Sequence, residues 1–92
     1  MTKRPDVKPR DWITIDAQPV VIDAIVCSVS STAEDVVEAV YLDYRDRAIN
    51  EDIRWTGESW EFLHSGAHGG YADKYDRLRE HVGLLRRGRP AG

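Results

Sequence analysis

One cysteine, Cys27, is all that this 92-residue chain contains. No intrachain disulfide can form, which fits a reducing compartment and sets the expectation of a cytoplasmic protein. Long hydrophobic runs are also missing. The most apolar stretch, Val20 to Val29, is interrupted by Asp23 and is too short to span a bilayer. The opening segment, MTKRPDVKPR, has no apolar h-region, so no secretory signal is expected. There is no internal repeat and no low-complexity segment. The spacings that carry phosphate or dinucleotide chemistry are absent, since neither GxGxxG nor a P-loop occurs. Neither CxxC nor HExxH is present. Ser28, Ser30, Ser31 and Ser65 stand in no nucleophile-elbow context. Cys27 lies among apolar neighbours, where a thiol is inert. No catalytic residue and no cofactor is therefore assigned.

The histidines do not repair this. His64 and His68 are four apart, with Asp73 and His81 downstream. Zinc wants three or four convergent ligands. The first pair instead lies in or beside a Gly-rich loop, so no metal site is expected. His64 is read as a loop residue in reach of Glu51 across a hairpin.

Length allows one small domain and one core, with little room for a deep pocket inside a monomer. The net charge of −3 is unevenly spread. Residues 1–10 carry a net +3, residues 11–70 a net −9 and residues 71–92 a net +3. An acidic body repels a phosphate backbone, so nucleic acid is an unfavoured partner except through the basic ends.

The pattern of residues suggests strands. Residues 1–10, with Pro5 and Pro9 among charges, read as a flexible basic arm. WITIDAQPVVIDAIVCSVS reads as a hairpin about DAQP. Pairing Ile15 with Val20 and Ile13 with Ile22 puts Ile13, Ile15, Val20, Ile22, Ala24 and Val26 on one face. Trp12, Thr14, Val21, Asp23, Ile25 and Cys27 take the other. The second strand is apolar on both faces, as a bent strand serving two sides of a small barrel would be. SSTAEDVVEAVYLDYRDR supports two readings. Ser31 with Glu34 could open a helix as a capping box. Val36, Val37, Val40 and Tyr41 favour a strand. We take an acidic turn at 31–35, a strand at 36–44 and a tight turn at YRDR. AINEDIRW alternates as a half-buried strand. In RWTGESWEFLHSG a Gly57-Glu58 turn, or a four-residue loop from Thr56 to Ser59, sets Trp55 opposite Trp60, Ile53 opposite Phe62 and Arg54 opposite Glu61. The two indoles then share the apolar face and are core-forming. After a Gly-rich loop at 65–70, Tyr71, Tyr75, Leu78, Val82 and Leu85 recur at helical spacing. They predict an amphipathic helix over 71–87, with a tail at 88–92.

Five short antiparallel strands joined by tight hairpins over residues 11–64 resemble the SH3-like small β-barrels. AVYLDY, Ala39 to Tyr44, is similar to the ALYDY signature of SH3 domains with one extra residue. The family's paired tryptophan and its GxxPxNYV-type end have no counterpart, so no polyproline-binding residue is carried over. The style of the chain is similar to that of small bacterial proteins carried on mobile gene cassettes. The expected fold is a mainly β, five-stranded antiparallel SH3-like barrel with a C-terminal amphipathic α-helix.

Aromatics on such a barrel can form a stacking platform or a cage for a cation. Trp12 and Tyr41 are placed on the less apolar faces of their strands, and Asp11, Asp43 and Asp52 would suit a cationic partner. The candidate ligand-binding residues are Trp12, Tyr41, Asp43 and Asp52. Cover by the C-terminal helix is the competing reading. The expected function is a non-catalytic interaction module for a protein or basic peptide, with a homodimer as one form. Alternatives are nucleic-acid binding through the arm and the helix-end arginines, and an enzyme with a site formed between subunits.

Overall fold

The computed structural model describes residues 4–29, 33–64 and 69–90. Six strands form: β1 (Trp12–Asp16), β2 (Val21–Val29), β3 (Val36–Leu42), β4 (Ala48–Trp55), β5 (Trp60–Phe62) and β6 (Gly70–Tyr71). The order in the sheet is β3-β2-β1-β5-β4-β6, and β3 also pairs with β4, which closes a five-stranded barrel. The architecture is consistent with an SH3-like small barrel.

The strands are not all antiparallel. β1 runs parallel to β5, with Ile15 beside Trp60. The reason is parity: an odd number of strands cannot alternate in direction all the way around a closed ring.

Side-chain alternation on these strands builds two apolar layers. The barrel interior holds Ile13, Ile15, Ala24, Val26, Val37, Ala39, Tyr41, Ile49, Ile53 and Trp60. The outer layer holds Ile25, Cys27, Val40, Ala48, Ala72, Leu78, Val82 and Leu85. β2 feeds both layers, as its apolar sequence implies. A bulge between Val26 and Ser28 supplies the bend. The first hairpin keeps its expected faces but not its expected register. Ile15 lies opposite Ile22 and Ile13 opposite Ala24, a shift of two residues. The turn takes in Val20, which is 59% exposed. A shift of two leaves every side chain on its face, because the strand period is two.

The β4–β5 hairpin has the predicted register in all three pairs: Ile53 with Phe62, Arg54 with Glu61, Trp55 with Trp60. Thr56 anchors its turn, with the hydroxyl accepting from the amides of Glu58 and Ser59 at 3.3 and 3.2 Å. Gly57 supplies the positive φ of 104° that this turn needs. The indoles meet edge to face at 5.3 Å. Trp60 is buried within the interior layer, and Trp55 packs half-buried at its rim.

Two boundaries differ from expectation. The third strand stops at Leu42, because Asp43 turns the chain rather than extending it. The C-terminal helix does not begin at Tyr71. Gly70 and Tyr71 pair with Asn50 and Ile49 of β4, along the edge that β5, paired only with residues 53–55, leaves open. Two 3-10 turns follow, Ala72–Lys74 and Asp76–Leu78, separated by extended Tyr75. α1 spans Arg79–Arg87. A repeat of three and four suits 3-10 turns as well as an α-helix at this spacing, so the periodicity alone could not tell them apart. Leu78, Val82 and Leu85 of the predicted stripe are buried, while Tyr71 and Tyr75 are 41% and 44% exposed. Full burial of each aliphatic side chain contributes about 1.5–3 kcal/mol.

Residues 4–10 carry no regular structure but are tied to the body. Val7 packs on the interior layer, the Arg10 amide donates to the Val26 carbonyl at 2.8 Å, and the Arg10 guanidinium pairs with Glu80 at 2.7 Å. The Ser31 cap falls outside the described residues.

Candidate functional site: two clefts beside a glycine pair

The residue before β6 runs close against β4. A Cβ on Gly69 would collide with the Asn50 carbonyl oxygen and lie 2.8 Å from Ile49 Cγ2. Only glycine lets the backbone approach β4 this closely. Gly69 and Gly70 line two clefts, one on each side.

The first cleft, about 370 Å³, is acidic. Glu38, Glu51 and Asp52 line it with Asn50 and His64. Glu38 is held from outside: Arg77 Nη1 and Nη2 donate to its two oxygens at 2.7 and 2.9 Å. Asn50 Nδ2 and Ser28 Oγ also donate to it, at 3.2 and 3.3 Å. The Arg77 hydrogen bonds outweigh burial and lower the Glu38 pKa below the usual carboxylate range. Asp52 is exposed.

The second cleft, about 530 Å³, is a tyrosine groove. Buried Tyr41 and Ile49 line its depth, and Tyr44, Tyr71 and Tyr75 its rim. Asp43, Arg47 and Lys74 supply its charges. Asp43 is internally satisfied. One oxygen accepts from the Arg45 and Arg47 amides at 2.8 and 2.9 Å, the other from Arg47 Nε at 3.1 Å. The amide of Arg47 leads the causes that lower the Asp43 pKa. Arg47 Nη1 also donates to the Tyr71 hydroxyl at 2.8 Å. Each rim tyrosine carries a cation of the chain's own over its ring: Arg45 on Tyr44, Arg47 and Lys74 on Tyr71, Arg77 on Tyr75.

One buried hydrogen bond links the clefts. The Tyr41 hydroxyl donates to Glu51 Oε2 at 2.9 Å. Burial, then this bond, push the Tyr41 pKa well above the ordinary phenol value.

Of the four residues singled out in the sequence, the structure brings two together. Tyr41 and Asp43 line the tyrosine groove, and Asp52 lines the acidic cleft. Tyr41 is nevertheless buried rather than exposed, because Val37, Ala39 and Tyr41 share the interior face of β3. Trp12 lines neither cleft and packs on the outer layer with α1. Cys27 is buried too, and burial pushes its thiol pKa up to about 12. Sequence reasoning passed over Tyr44, Tyr71, Tyr75 and Lys74. Their available signal was aromatic–basic interleaving in YRDR and YADKY, masked by reading the first as a turn and the second as a helix stripe. No three His, Cys, Asp or Glu converge on a metal site among the described residues, and His68 lies outside them. No described helix is long and apolar enough to cross a membrane. Comparison with protein-family models, curated proteins and solved structures finds no match to this chain.

Proposed function

We propose that the protein is a non-catalytic interaction module that binds a protein or peptide segment bearing a basic side chain. The observation that supports this is the pair of clefts meeting at Gly69 and Gly70. The acidic cleft offers exposed Asp52 to a cation, and the tyrosine groove beside it offers exposed ring surface to the neighbouring residue. Tyrosine is a low-entropy contact residue, with few rotatable bonds for its area. The acidic side chains disfavour a polyanion here, so peptide is preferred to nucleic acid as the partner. The apolar patch of Trp12, Ile25 and Cys27 is covered by the chain's own helix. That patch is therefore not open to a second copy of the chain.

A test is an array of random octapeptides probed with the labelled chain. Bound peptides should be enriched in Lys or Arg with an aromatic residue nearby. Asp52→Lys should remove the basic preference without changing the melting temperature. Bound peptides without enrichment in Lys or Arg, or equal binding by Asp52→Lys, would contradict the reading.

A further inference from the structure

The charge balance of the tyrosine groove is opposite to that of its neighbour. Its one carboxylate, Asp43, has both oxygens committed to Arg47 and to backbone amides. Lys74 has no carboxylate partner among the described residues. Its ammonium stands 5.7 Å from the centroid of the Tyr71 ring. The Arg45 guanidinium likewise has no acidic partner among the described residues and stands 5.2 Å from the Tyr44 centroid. The groove thus presents ring faces next to cations that still have donors to spend. A cationic ligand would have to displace those cations from the rings. An anionic one would be held by them.

We propose that the tyrosine groove takes a flat aromatic group with an anionic substituent close by, presented by a peptide. The ring lies against Tyr71 or Tyr75, and the anion meets Lys74 and Arg47. This rests on the reading of the chain as a binding module and assigns the second of its clefts. The anion is the carboxylate of a C-terminal aromatic residue, which carries ring and charge together, as the 5.7 Å between the Tyr71 ring and Lys74 suits. A single-stranded nucleic acid also combines flat rings with anions. It is disfavoured because its phosphates would have to run past exposed Asp52 and the acidic cleft.

Three probes with one ring and different tails test this: 3-phenylpropionate, 3-phenylpropanamide and 3-phenylpropylammonium. Amide chemical shifts of the ¹⁵N-labelled chain report binding at residues 71–75. Dissociation constants for ligands this small fall in the millimolar range. The carboxylate should bind about fivefold more tightly than the amide, the worth of one exposed ion pair, and the ammonium should bind weakest. Lys74→Gln should erase the difference between carboxylate and amide while the ring still binds. Acetyl-Gly-Gly-Phe with a free C-terminus should bind more tightly than acetyl-Gly-Gly-Phe amide and than acetyl-Gly-Asp-Phe amide, and tighter binding of the last would overturn the assignment. The proposal is overturned if the ammonium binds as well as the carboxylate. It is also overturned if the preference survives in Lys74→Gln, or if a thymidine oligonucleotide displaces 3-phenylpropionate at physiological salt. The module reading fails separately, if acetyl-Arg-Gly amide moves no shift at Asn50 and Asp52.

Discussion

The aromatic residues of the β4–β5 hairpin and those around β6 differ in what their backbone lets them do. Trp60 sits on a strand whose ladder fixes its direction, and it is 5% exposed. Tyr44 sits in a turn and is 86% exposed, and Tyr71 and Tyr75 flank a 3-10 turn at about half that. The strand aromatics are spent on packing. The tyrosines of the turns and of the two-residue β6 are held by cations and leave ring surface to water. Aromatic content alone therefore says little about binding; the element that carries the ring decides it.

Breaking this comparison at its structural end should give the largest effect. Trp60→Ala should destabilise by about 3–5 kcal/mol, as truncation of a buried aromatic does. That is a large share of the ~5–15 kcal/mol typical of a domain. Urea unfolding monitored by circular dichroism would show it. Trp55→Ala should cost less, because Trp55 is only half-buried. Equal losses would mean that the rim indole is as structural as the interior one.

The outer layer offers the next test. Leu78→Ala should cost about 2–4 kcal/mol, since Leu78 is 1% exposed beneath the barrel. A change below 1 kcal/mol would show that the 3-10 segment and α1 can detach without unfolding the barrel.

A smaller effect should depend on pH. The folded Glu38 pKa is depressed by Arg77, so Glu38 contributes stability above the unfolded carboxylate pKa. That contribution is lost as pH falls through the folded pKa. The wild-type chain should therefore be more stable than Glu38→Gln at pH 7, and the two should converge below about pH 4. A stability gap that persists in acid would assign the effect to packing. Gly83→Ala should raise stability by about 0.5–1 kcal/mol, because no neighbouring atom lies near the added methyl. A melting temperature that does not rise would contradict this.

The strand hairpins were legible in the sequence because two faces had to agree at once. Ile53, Trp55, Trp60 and Phe62 fixed one face of β4–β5, and Arg54 with Glu61 fixed the other. The first hairpin had no such second constraint, and its register slipped by two while its faces held. The groove was not legible. It depends on a close approach of Gly69 to Asn50, a non-local contact with no periodic trace. Tyr71 and Tyr75 fitted a helical repeat and were absorbed into it. Tyr41 and Asp43 both line the groove, but Tyr41 does so from beneath, buried and donating to Glu51, rather than as an exposed ring.

If the tyrosines around β6 serve a ligand, as proposed, while the strand tryptophans serve the fold, the two roles should come apart on mutation. Tyr75→Ala tests this most directly, with melting temperature and binding of the array-selected peptide measured on the same sample. The variant should melt within a few degrees of wild type and lose at least fivefold in peptide affinity, as for a contact worth about 1 kcal/mol. Collapse of the melting temperature, or full affinity in the variant, would contradict it.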